Sequence, residues 1–140
     1  MMLAYPKVLL LAGDEREAMN LQQLLSPYVS LTCSPTLAAL GPLLKNGAYD
    51  ALFCTESPRA ETWNEVIREV HKHHPDLPVI ILSRTGDDRE WREVLEAGAF
   101  DLLAPPYQGR TLVAVLEQAV ASRQARGWHD AVTLLREEAC

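Results

Sequence analysis

Five times along this chain a short, nearly continuous apolar run is followed by a segment whose apolar residues recur at helical spacing. The runs are residues 7–12 (KVLLLA), 28–33 (YVSLTC), 51–54 (ALFC), 78–83 (PVIILS) and 100–104 (FDLLA). Runs so rich in Val, Ile and Leu read as strands buried on both faces, which is the burial parallel sheets require. Between them, Ala18, Leu21, Leu24 and Leu25 share one helical face, as do Trp63, Val66, Ile67 and Val70, and then Trp91, Val94 and Leu95. Asp14 is placed to cap the first helix. The second helix opens at Ser34-Pro35, ends at Gly47 and has a point of kinking or splitting at Gly41-Pro42. The third covers about residues 60–74, the fourth 87–97 with Gly98 as its stop, and the fifth 108–123. Five such strand–helix units predict a doubly wound α/β fold, a five-stranded parallel sheet with helices on both faces.

At 140 residues the chain fits one domain of this kind. Its net charge of −6 argues against direct nucleic-acid contact, which needs clustered Lys and Arg. The three cysteines, Cys33, Cys54 and Cys140, are far apart and form no CxxC, consistent with a reducing cytoplasm. The opening MMLAYPKVLLLAG is too short an apolar run for a secretory signal, and no run approaches the roughly 18 residues of a membrane span. The expected location is therefore cytoplasmic, with no membrane partner.

In a doubly wound sheet the functional site lies at the carboxyl ends of the strands. The residues to read are Ala12, Gly13 and Asp14; Thr55 and Glu56; Ser83 and Arg84; and Ala104, Pro105 and Pro106. Rival signals are weaker. In HKHH, His71 and His74 are helical neighbours of the kind that can hold a metal. They also sit at a helix carboxyl end, where the macrodipole favours imidazolium. Cys54 reads as a small buried residue. The glycines form no GxGxxG, and no Ser-His-Asp constellation stands out. No cofactor is expected.

Three fragments, YDALFCT, VIILS and EAGAFDLLAPPY, taken in order within this repeat, resemble response-regulator receiver domains, the CheY-like family. The resemblance covers about residues 6–123 and implies strand order 2-1-3-4-5. It implies phosphoryl transfer to an aspartate after strand three. An acidic pair after strand one would hold Mg²⁺, and a hydroxyl after strand four and a lysine after strand five would contact the phosphoryl oxygens. Residue by residue, this chain departs from that pattern. The acidic pair falls on Ala12 and Gly13, the acceptor on Thr55 and the lysine on Pro105. Ser83 keeps its type. The aromatic of strand five falls on Leu102, and Pro58 follows Thr55 one residue early. The resemblance also implies a cis bond between Pro105 and Pro106.

The expectation is a degenerate receiver domain, a pseudo-receiver, that is not an enzyme. A threonine without a base is a weak nucleophile. An alternative metal site on Asp14 and Glu56 competes with a simpler reading, a helix cap and a solvated loop residue. The domain, residues 1–126, would act through a protein partner or a covalently linked output domain, as a homodimer, in regulating transcription or another output. A second hypothesis has it sense a small ligand in the vacated pocket. In receivers the face made by helix four, strand five and helix five is the usual contact surface, here marked by Arg89, Arg92, Glu93, Leu102 and Glu117. The tail, residues 127–140, places Trp128, Val132 and Leu135 at helical spacing. It is either a helix folded back on the domain or a dimerisation or linker helix.

Overall fold

The computed structural model describes residues 6–12, 14–34, 36–55, 63–83 and 86–139, with side chains up to residue 125. The elements alternate: β1 (Lys7–Leu11), α1 (Glu15–Leu25), β2 (Ser30–Ser34), α2 (Leu37–Asn46), β3 (Ala51–Thr55), α3 (Trp63–His73), β4 (Val79–Leu82), α4 (Asp88–Glu96), β5 (Asp101–Leu103) and α5 (Gly109–Ala139). The strands form one parallel sheet in the order β2-β1-β3-β4-β5, as expected.

The period of two along each strand splits the core into two layers. Val8, Leu10, Ala51, Phe53, Ile80 and Leu82 face α1 and α5, where Leu21, Leu25, Leu112, Leu116 and Ala119 meet them. The alternate residues Leu9, Leu11, Leu52, Cys54, Val79 and Ile81 face the other helices and pack with Leu40, Leu44, Val66, Ile67, Val70 and Val94. Strands β3 and β4 are buried at every position, which is why their sequences show no polar alternation.

Local hydrogen bonds set the element ends and shift several of them from the expected positions. Tyr28 and Val29 both donate their amides to the Leu25 carbonyl, so residues 26–29 round off α1 and β2 starts at Ser30. Ser34 belongs to β2, and its hydroxyl donates to the Thr36 carbonyl. Thr36 then caps α2 by accepting from the Ala39 amide at 3.1 Å. Gly41-Pro42 does not split α2, which runs unbroken from Leu37 to Asn46. Gly98 stops α4 as anticipated, with φ of +109° just beyond the cap residue Ala97.

The fifth helix is 31 residues long and continues to Ala139, well past the expected end near residue 123. Its passage along the sheet is fixed by Arg123. That guanidinium donates to the Tyr49 carbonyl at 2.7 Å and to Asp76 Oδ2 at 3.3 Å. Tyr49 and Asp76 lie in the loops leading into β3 and β4, so the bond ties α5 to the amino end of the sheet.

Trp91 is a second correction. Its helical spacing with Val94 predicts an inward side chain, yet it is 45% exposed. α4 overhangs β5, a strand of only three residues at the sheet edge, so the stripe runs out of core to cover. The indole N–H instead donates to Asp101 Oδ1 at 3.3 Å.

Candidate functional site

The parallel register aligns the strand ends in a row. Leu11 pairs with Cys54, Thr55 with Leu82, and Leu82 with Leu103. Ala12, Thr55, Ser83 and Ala104 therefore line the carboxyl edge. Thr55 is 3% exposed and Ser83 is fully buried. Ala12 is half-buried and packs onto the layer beneath α1 and α5. Ala104, Pro105 and Pro106 are exposed, and the Pro105–Pro106 bond is cis as the resemblance implied. Gly13, Glu56, Pro58 and Arg84 lie outside the described residues.

Asp14 is exposed and accepts from the Arg16 amide at 3.2 Å, acting as the N-cap of α1. The carboxylate that does reach the row comes from α4. Ser83 Oγ donates to Glu90 Oε2 at 3.0 Å and accepts from the Gly86 amide at 3.0 Å. The Ser83 amide donates to the Leu103 carbonyl at 2.7 Å, and its own carbonyl accepts from the Tyr107 hydroxyl. Gly86 has φ of +68°, a backbone that side-chain-bearing residues rarely adopt. A Cβ there would lie 2.5 Å from the Ala104 Cβ, so the β4–α4 and β5–α5 connections press together at this glycine.

The sequence alone does not reveal the bond from Ser83 to Glu90. No spacing rule links residues seven apart across a loop. The only available signal was that the first turn of α4 follows Ser83 closely enough to fold back on it. Asp87 is likewise engaged, capping α4 through the Arg89 amide at 3.1 Å.

The remaining candidates are scattered. Arg89, Arg92 and Glu93 are exposed on α4, with Arg89 Nε 3.2 Å from Glu93 Oε1. Glu117 is exposed on α5, whereas Leu102 is 7% exposed and packs in the core. A groove of about 320 Å³ runs between α4 and β5, lined by Gly86, Asp88, Trp91, Leu102 and Ala104. Trp128, Val132 and Leu135 fall on helical backbone, with side chains outside the described residues. The histidines part company: His73 faces Glu69 at 3.2 Å, His74 bonds the Leu44 carbonyl at 2.8 Å, and His71 lies against Gly98. Among the described residues no group of three or more His, Cys, Asp or Glu is placed to hold a metal. No helix among them is long and apolar enough to cross a membrane.

No protein-family model matches the sequence, and no curated protein matches it. Solved structures do match the fold. A response regulator receiver domain protein from Clostridium thermocellum superposes with a TM-score of 0.77 at 21% identity, covering 88% of this chain and 98% of that one. The signal receiver domain of an HD domain-containing protein from Pseudomonas fluorescens Pf-5 gives 0.75 at 22% identity, covering 86% and 98%. NtrX from Brucella abortus gives 0.81 at 17% identity, covering 91% of this chain but 29% of that longer one. The chain therefore has the receiver-domain fold, with its strand order and five helices.

Proposed function

We propose that this chain is a pseudo-receiver, a signalling domain that works by protein–protein contact without being phosphorylated. The observation that carries the reading is the row at the carboxyl edge. Its central position is the buried hydroxyl of Thr55, between Ala12 and Ser83, with Ala12 where a metal-binding carboxylate would be needed and Pro105, beyond the end of β5, where a lysine would be needed. Phosphoryl transfer to such a row lacks acceptor, cation site and counter-charge together. Burial of Thr55 and Ser83 also favours contact over small-ligand sensing in this pocket. The test is incubation with acetyl phosphate and Mg²⁺ followed by intact-mass measurement. No adduct is expected, and an adduct removed by hydroxylamine refutes the reading, since that lability marks an acyl phosphate.

The domain, residues 1–126, regulates transcription or another output in a bacterial two-component-type pathway, in the cytoplasm, through a partner or a linked output domain. The receiver fold of its structural neighbours supports this, and in NtrX the matched region is part of a longer chain. Two copies associate through the exposed α4 face and the extension of α5. That extension carries Trp128, Val132 and Leu135 at helical spacing, and each large side chain fully buried contributes about 1.5–3 kcal/mol. A symmetric dimer is the commonest closed arrangement. Light scattering on the full chain and on a version ending at Arg126 tests this. A monomer in both rejects the dimer, and an unchanged dimer after truncation removes residues 127–140 from the interface.

A further inference from the structure

Every hydrogen-bonding group of Ser83 is engaged by the protein itself: its amide by Leu103, its carbonyl by Tyr107, its hydroxyl oxygen by Gly86 and its hydroxyl proton by Glu90. A serine hydroxyl has one proton to give. Here it goes to a carboxylate in the first turn of α4, where the helix macrodipole also favours negative charge. We propose that Glu90 is a built-in anion for this edge of the sheet. Its carboxylate takes the contact an incoming anionic group would need, and so latches α4 in one arrangement. The proposal rests on the contact reading above and names what sets the α4 surface when no phosphoryl group is added.

The latch matters because α4 has little else to hold it. Of its nine residues only Val94 is buried, and Arg89, Arg92 and Glu93 face solvent. Elements with few buried apolar contacts open most readily. The same serine also takes the Tyr107 hydroxyl, and Gly86 rests on Ala104, so the latch joins α4 to the segment that leads into α5. A carboxylate inside the protein needs no donor, no metal and no hydrolysis, so α4 stays in this arrangement as long as the bond holds.

Hydrogen–deuterium exchange on the full-length protein tests the latch. Glu90→Ala and Ser83→Ala should each speed exchange across residues 88–96 at least ten-fold while β1 and β3 amides stay unchanged. The double variant should go no further than either single one. Glu90→Gln keeps a neutral acceptor and should give a smaller, still selective, rise. Unchanged α4 exchange in Glu90→Ala, or single effects that add, overturns the proposal. If the alanine variants loosen the whole sheet, Glu90→Gln decides, with a selective rise at α4 supporting the latch and none overturning it. A phosphate adduct in the mass experiment sinks the contact reading without altering what exchange reports, so the two failures are distinguishable.

Discussion

Replacing Gly86 by alanine should be among the costliest single-atom additions in this protein. Two separate terms contribute. The backbone at φ +68° penalises a side chain by roughly 1–2 kcal/mol. Alanine recovers about 0.4–1 kcal/mol of that by restricting the unfolded chain. The new methyl would then sit 2.5 Å from the Ala104 Cβ, about 1 Å inside ordinary contact, and overpacking of this kind costs roughly 1–3 kcal/mol. The sum is about 3 kcal/mol, or roughly 10 °C in Tm for a domain of this size. Thermal and urea unfolding of Gly86→Ala, Ala104→Gly and the double variant form the assay. The double variant removes the clash but keeps the backbone strain, so it should regain about two-thirds of the loss, measured as coupling in the cycle. A loss below about 0.5 kcal/mol in Gly86→Ala, or no coupling with Ala104→Gly, refutes the claim that the two connections press together here.

Phe53→Ala empties the centre of the layer beneath α1 and α5, where Phe53 is fully buried, and should cost about 3–5 kcal/mol in urea unfolding. Arg123→Ala should cost about 1–2 kcal/mol, mostly from the Tyr49 carbonyl bond, because Asp76 is 59% exposed and its pairing is screened. High salt should change that loss little, and a loss abolished by salt would mean the ion pair dominates. Thr55→Asp puts a carboxylate at a position 3% exposed, and burial disfavours its charged form. Its proton is held more tightly folded than unfolded, so the destabilisation should grow as pH rises above roughly 4. Millimolar Mg²⁺ should not rescue it, and a Mg²⁺-dependent rise in Tm would show that a cation site survives.

The strands were legible because burial alone writes them: VLLL, ALFC and VIIL are apolar runs whatever the loops do. Helix caps were partly legible: Asp14 stands out as a cap and bonds the amide two residues on, whereas Asp87, which caps α4 in the same way, reads from the sequence only as the start of that helix. The start of β2 was not, because it depends on which carbonyl the Tyr28 amide finds. Trp91 was misplaced because helical spacing says which residues share a face, not whether the sheet extends under that face. At the site, residue types in the strand-end row were readable from the strand ends, as Ala12, Thr55, Ser83 and Ala104 show. The bond from Ser83 to Glu90 and the clamp at Arg123 were not, since each joins side chains whose meeting is decided by packing of whole elements. Helical spacing predicts an end to the fifth helix near residue 123, whereas α5 continues through Gly127 to Ala139; one glycine costs a helix only about 1 kcal/mol, which a long helix tolerates.

That unbroken fifth helix, about 46 Å long at 1.5 Å per residue, makes rotation a variable of the molecule. Arg123 fixes its azimuth against the domain, and every later residue is turned about 100° from the one before. Inserting a single residue after Ala125 would swing the stripe of Trp128, Val132 and Leu135 to a different side of the helix while leaving the domain untouched. Inserting four would bring it back to within about 40° and advance it about 6 Å. If the proposed dimer forms through this stripe, its partner is addressed by angle as well as by distance, and in a series of insertions of one to four residues association should return with the helical period.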